Sequence, residues 1–171
     1  MEQSVYELIN DQINKELYSS YLYLSFADYY EDAGLDGYAN YFFIQAQEER
    51  DHALIFRNYL LDNDRKPKLG AIDAPAIECT DFAAPLHEAL KHEQYVTSLI
   101  NAIYAEALAK NDYRACQFLK WFIDEQMEEE DNARDMITKF ELFGDDKRSL
   151  YELNQQYATR VYTQATPLAT N

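Results

Sequence analysis

Six polar residues in this 171-residue chain recur in a pattern that could hold cations. Glu16, Glu49, His52, Glu93, Gln126 and Glu129 each fall near the middle of a run with 3,4 spacing. Each run is apolar or aromatic at its ends. The first reads Tyr6, Ile9, Ile13, Glu16, Ser20, Tyr23, Ala27, Tyr30, and the second Phe42, Gln45, Glu49, His52, Phe56, Tyr59. The third reads Leu86, Leu90, Glu93, Thr97, Ile100, Tyr104, Ala107. The fourth reads Leu119, Phe122, Gln126, Glu129, Ala133, Met136, Phe140, Phe143. On a helix, residues so spaced share one face, so the carboxylates and imidazole lie where their apolar neighbours demand burial. In a bundle of equal helices, mid-helix positions meet at one height whatever the helix directions. An unpaired buried carboxylate costs roughly several kcal/mol. Four together would exceed the stability of an ordinary domain, about 5–15 kcal/mol. No Lys or Arg lies on any stripe to pair them. Two divalent cations would neutralise Glu16, Glu49, Glu93 and Glu129. Oxygen-rich ligation with one histidine suits iron or manganese better than a Cys-rich zinc site or an all-oxygen calcium cage.

Taken singly, these residues say little. A lone Glu on a stripe is more often an edge residue, a lone His more often an ordinary core or surface residue, and E-x-x-H is common by chance. Four helices agreeing in height say much more. The stretch FIDEQMEEED (122–131) packs six acids into ten residues, although like charges at i,i+4 weaken a helix by a few tenths of a kcal/mol. Glu125 lies three residues after Phe122 and four before Glu129, so it borders the inner face. Glu128 is one turn from Glu125, and Glu48 is four residues before His52. These three form either a further cation site beside the main pair or a solvated flank. Asp124, Glu130 and Asp131 read as an outer or lumen-facing surface.

The elements that must position these groups are helices. Five segments are expected, near 4–32, 37–63, from after Asp81 to about 110, 113–143 and about 147–160. The GLDG tetrad at Gly34–Gly37 divides the first two. Asp81 and Asp112 are expected N-caps, Pro85 falls harmlessly in a first turn, and Gly144 stops the fourth helix. The tail TQATPLATN is expected to fray. Residues 64–80 lack helical periodicity and hold two of the four prolines. A helix of about 28 residues is about 42 Å long, and seventeen extended residues span up to roughly 56–61 Å. The segment can therefore cross the whole bundle, making the second and third helices parallel. The expected fold is all-α: one domain over 1–171, a four-helix bundle with one long crossover between helices 2 and 3 and a short fifth C-terminal helix.

Composition narrows the partners. Hydrophobic content of 47% fills a core, and four Gly and four Pro favour long helices. A net charge of −16 argues against nucleic acid and anionic membranes and suits cations. Cys79 and Cys116 have no metal-type spacing and read as free thiols of a reducing compartment. The first residues, MEQSVYELIN, show no leader pattern, and no stretch approaches 18 apolar residues, so a soluble cytoplasmic protein is expected.

The strings NKELYSSYLYLS (14–25), AQEERDHA (46–53), KHEQ (91–94) and FLKWFIDEQMEEE (118–130), in this order and at these intervals, resemble bacterial non-haem ferritins over nearly the whole chain. The resemblance implies ferroxidase activity and storage of iron as a ferric oxyhydroxide mineral inside a 24-subunit cage. It implies that Glu16, Glu49 and His52 hold one iron, with Glu49 bridging to a second held by Glu93 and Glu129. Gln126 would stand near that second site, and Glu48, Glu125 and Glu128, sharing Glu129, would match a third iron site. Tyr23 would be a tyrosine able to supply an electron, with Trp121 nearby. Fe(II) and oxygen or hydrogen peroxide would be the reactants. The chain departs from the di-iron bundles that carry a second E-x-x-H, having Gln126 and Glu129 at those positions. Arg50 follows the bridging glutamate where haem-binding relatives have methionine, so no haem is expected. No C-x-x-C pair suggests a rubredoxin unit. The competing readings are a discrete di-iron or di-manganese redox enzyme without mineral storage, and a non-catalytic shell subunit.

Overall fold

In the computed structural model, which describes residues 1–169, the chain forms α1 (Gln3–Asp32), α2 (Asp36–Asp62), α3 (Ala84–Ala109), α4 (Tyr113–Phe143), α5 (Lys147–Ala158) and a single turn, α6 (Thr166–Ala169). This is the expected all-α bundle with a short fifth helix, and no strand occurs among the described residues. None of the helices is long and apolar enough to cross a membrane.

Three of the four long helices end in one way. Gly34 (φ 75°), Asp64 (φ 55°) and Asn111 (φ 55°) adopt the left-handed conformation. Each donates its N–H three residues back, and the next N–H reaches five residues back, as in Gly34 to Glu31 (3.0 Å) and Leu35 to Tyr30 (2.9 Å). Asp and Asn tolerate this backbone because their short polar side chains bond locally. Gly144 does follow α4, but in a right-handed conformation (φ −69°). Glycine is needed there for closeness, since a Cβ would lie 2.6 Å from the Phe140 carbonyl oxygen. Asp112 caps α4 as expected, accepting the Ala115 N–H at 3.1 Å. Asp81 lies two residues before the N-cap position of α3, which is Ala83. Its carboxylate takes the N–H groups of Ala83 and of Ala84, the first residue of the helix, at 2.9 Å.

The crossover runs the length of α1. Tyr6 donates to the Lys66 carbonyl (2.8 Å), Asn10 exchanges bonds with Lys68, Asn14 with Gly70 and Ala71, and Tyr30 reaches Phe82 (2.6 Å). The chain thus leaves α2 beside the start of α1 and enters α3 beside its end, which makes α2 and α3 parallel. α1 packs mainly on α2, and α3 on α4. No Cα of α2 lies within 8 Å of one in α4. Long side chains fill that gap, with Phe56 stacked on Phe122 at 4.0 Å.

The core is divided in two. One apolar cluster gathers Ile9, Ile13, Phe56, Ile100 and Leu119, and the other Phe26, Tyr30, Phe42, Leu86 and Met136. Between them, at mid-height, lies a buried polar layer. α5 packs against the start of α2, where Asn154 Oδ1 accepts the N–H groups of Gly37 (2.8 Å) and Tyr38 (3.2 Å). Gly37 is obligatory, because a Cβ there would fall 1.7 Å from the Asn154 carbonyl oxygen. The fifth helix ends two residues earlier than expected, and the tail is not frayed through Leu168. Tyr162 and Ala165 donate to Asp51 at 2.6 and 3.3 Å, and Leu168 packs beside the first apolar cluster.

Candidate metal centre

The polar layer contains Glu16 from α1, Glu49 and His52 from α2, Glu93 from α3, and Gln126 and Glu129 from α4, none more than 6% exposed. The mid-height agreement expected from the stripes is therefore real. One ligand atom from each of Glu16, Glu49 and His52 lies within 4.8 Å of the others. His52 Nδ1 is 3.3 Å from Glu49 Oε2. Among the described residues, no other group of three or more Cys, His, Asp or Glu side chains is so tightly drawn together.

Glu93 and Glu129 act on Glu49 electrostatically and are held by amides. Gln126 Nε2 donates to Glu93 Oε2 at 2.9 Å, and Gln45 Nε2 to Glu129 Oε2 at 2.8 Å. Tyr23 donates its hydroxyl to Glu93 Oε1. A cavity of ≈ 10 Å³, space for about one water, opens beside them and is lined by Tyr23, Tyr41, Gln45, Glu93, Glu129 and Met136.

Electrostatics shows the strain of an all-acid layer. Burial first, and neighbouring Glu49 second, raise Glu16 well above the ordinary carboxylate range. Burial, Glu93 and Glu129 do the same to Glu49. Burial also raises Glu93, against the hydrogen bonds from Tyr23 and Gln126, and pushes Glu129 up to about 8 with Glu93 as the next cause. Glu16 Oε2 is buried without a hydrogen-bond partner. No Lys or Arg is buried among the described residues. An oxygen-rich donor set with one imidazole and an orphaned carboxylate oxygen fits hard divalent cations such as Fe(II).

Both the family and the solved relatives point the same way. Residues 6–143 match the ferritin-like domain family. The chain belongs to the ferritin-like family. It is 34% identical to a bacterial non-heme ferritin of Campylobacter jejuni over 161 residues, 94% of this chain and 96% of that one. It is 32% identical to one from Staphylococcus aureus over 162 residues, 95% and 98% of the two chains. Solved structures of Archaeoglobus fulgidus ferritin superpose with TM-scores of 0.93 for an engineered closed form (34% identity, 95% of this chain, 99% of that) and 0.92 for an open-pore form (35%, 94% and 98%).

The other expected positions of this ferritin-like chain lie at the edge of the layer. Glu125 is half-buried, with Oε1 3.9 Å from His52 Nε2. Glu48 is half-buried and Glu128 exposed. Burial is the first cause raising Glu48 and Glu125, and Glu125 raises Glu48 as Glu128 raises Glu125. Glu130 is not a free outer acid, since it accepts from Thr97 at 2.7 Å and pairs with Arg134. Trp121 lies edge-on to His52, with ring centroids 5.5 Å apart.

Several supports had no mark in the spacing. Gln12 donates to Glu16 Oε1 at 2.9 Å, one turn away on α1. Ser19, rather than Ser20, is fully buried and bonds His92 Nε2 at 2.8 Å. Burial lowers His92 to about 4, so it is neutral, and its ring sits edge-on to Tyr23. Gln45 had a visible signal, a polar residue on a buried stripe one turn before Glu49.

Proposed function

We propose that this chain is a cytoplasmic ferroxidase subunit, oxidising Fe(II) at the mid-bundle centre and passing it to a mineral store inside a 24-subunit cage. The reading is carried by the buried convergence of Glu16, Glu49 and His52, next to Glu93 and Glu129, in a core where no Lys or Arg is buried among the described residues. The names of the relatives, ferritins throughout, support it.

As substrate, two Fe(II) ions match the charge of four carboxylates. Glu16 and His52 hold the first, Glu49 bridges, and Glu93 and Glu129 hold the second. Each ion gives up one electron, and the pair together reduces oxygen to hydrogen peroxide with two protons, or peroxide to water. Gln126 and Gln45 orient the two carboxylates of the second position, leaving only those carboxylates and Glu49 to grip it. A second ion so held leaves readily after oxidation, which suits transfer to a store. Tyr23, kept protonated by burial and by Glu93, donates its hydroxyl to Glu93; in this reading it gives one further electron to the oxygen species being reduced, and its proton passes along that hydrogen bond to Glu93. Glu48, Glu125 and Glu128 form a weaker cation site at the rim. The acidic net charge draws cations inward.

The test is aerobic Fe(II) addition followed by stopped-flow absorbance. Glu49→Ala and His52→Ala should each abolish the fast phase. Persistence of that phase in both variants would move the chemistry elsewhere.

A further inference from the structure

Arg160 stands two residues beyond the end of α5, where the fifth helix was expected still to run. Its guanidinium is seated on α2 by three contacts. Nη2 donates to Glu48 Oε2 at 2.6 Å, Nη1 donates to the Tyr41 carbonyl at 3.2 Å, and the planar group lies 4.3 Å from the Tyr41 ring centroid. The Arg160 carbonyl in turn accepts from Asn40 Nδ2 at 3.1 Å. The next residues continue along α2 to the buried carboxylate of Asp51, which takes the Tyr162 hydroxyl. Arg160 is thus held by α5 on one side and by the Asp51 anchor on the other.

Its partner is the informative part. Glu48 belongs to the rim set of Glu48, Glu125 and Glu128. Among the described residues, no other Lys or Arg comes within salt-bridge distance of any of the three. The pair is mostly shielded, with Arg160 24% and Glu48 20% exposed, so its attraction is less screened than that of an open surface pair. A planar fork that stacks on an aromatic ring while bonding a carboxylate is a task for Arg rather than Lys. The tail does not need this contact for attachment, because Asp51 and the packing of Leu168 already hold it.

We propose that Arg160 is the resident counter-charge of the rim site, so that a divalent cation gains Glu48 only by displacing the guanidinium. The proposal rests on reading Glu48, Glu125 and Glu128 as a site that handles iron. It makes Arg160 a positioning residue that sets how many ions a subunit retains. The mid-bundle centre fills first, and the rim passes ions without keeping them.

The experiment is calorimetric titration of the metal-free assembled protein with Zn(II), which binds without redox chemistry. The wild type should take two tight ions per subunit and a weak third. Arg160→Ala should tighten the third by about tenfold or more, the scale of losing one partly shielded opposing charge. Arg160→Lys, which keeps the charge but not the stacked fork, should restore the weak value only in part. Arg160→Ala combined with Glu48→Gln should erase the gain. An unchanged third ion in Arg160→Ala, or a gain that survives Glu48→Gln, overturns the proposal. Tyr162→Phe guards against a trivial loosening of the tail. It leaves the guanidinium in place, so an equal gain there would also overturn the assignment. Absence of the two tight ions in the wild type would instead sink the di-iron reading, whatever Arg160 does.

Discussion

The mid-bundle centre and the rim site are both glutamate clusters on shared helices, yet they meet their charge in opposite ways. Glu48 and Glu49 are neighbours in sequence. Glu49 is buried among Glu16, His52, Glu93 and Glu129 with no buried Lys or Arg to pair it, whereas Glu48 is half-buried and holds Arg160. The difference follows from solvation. Burying a guanidinium beside four carboxylates would leave most of the charge unbalanced and add the desolvation cost of another ion. Compact divalent ions carry two charges each and exchange. At the half-wet rim, one Arg suffices, and it stacks on Tyr41 as it pairs. A fully buried acid cluster is answered by protons or by inorganic cations, while a half-buried one is answered here by the chain itself.

The largest effect that would break this contrast comes from two adjacent substitutions. Removing groups that merely orient metal ligands costs about 10–100-fold in affinity, so removing Glu49, the bridging ligand proposed above, should cost more. Glu49→Gln should lower tight metal binding by more than about 100-fold. Glu48→Gln should leave both tight ions within a few-fold of wild type. Competition titration with a chromogenic chelator measures both. Equal losses would mean that the two regions are one site.

The metal-free protein offers the next test, through pH. The centre's carboxylates have folded pKa values above the ordinary value, with Glu129 near 8. Between about 4.5 and that value the folded chain binds more protons than the unfolded one, so stability falls as pH rises. Below the unfolded pKa both states are protonated and the dependence vanishes. Thermal melts in chelator should therefore give a lower Tm near pH 8 than near pH 5.5. Added Zn(II) should remove or reverse the trend, because metal takes the place of the protons and binds only the folded state. A chelated protein that gains stability toward pH 8 would contradict an unpaired acid layer.

How much of this was legible in the sequence follows from the same physics. Periodic stripes fixed the four helices nearly to the residue, and a Glu at mid-stripe is visible because burial makes it costly. The crossover could be read from length alone. Chain ends set by backbone conformation were not legible at Asp64 or Asn111, since a left-handed Asp or Asn looks like any polar residue. Asp51 adjoins the ligand cluster in sequence, but its burial depends on Tyr162, more than a hundred residues away. Arg160 was hidden for the same reason: nothing at the end of a short polar helix marks which residue will find a carboxylate on α2.

A smaller effect sharpens the centre itself. Gln45 holds Glu129 from α2, across a gap that no backbone contact closes. Gln45→Leu fills the space without the donor. It should weaken the second tight ion by about 10–100-fold and leave the first, on Glu16 and His52, nearly unchanged. Stepwise titration of Zn(II) resolves the two. Equal weakening of both ions would mean that Gln45 supports the bundle rather than Glu129.

The smallest effect tests whether the rim depends on parts of the fold that the centre ignores. Asn154 caps the start of α2 from α5 through Gly37 and Tyr38. Asn154→Ala removes a cap worth about 0.5–2 kcal/mol, which a denaturant melt would show as a modest shift in midpoint. Its consequence should be uneven. The centre is built from α1 to α4 and lies about two helical turns or more beyond Gly37 along α2, so its two tight ions should be unaffected. Arg160 reaches Glu48 only because α5 delivers it to Tyr41, so looser docking of α5 should tighten the third ion slightly, in the same direction as Arg160→Ala. A cap mutant that weakened the two tight ions while sparing the third would show that α5 braces the centre, and that the two acidic regions are less separable than their charge chemistry indicates.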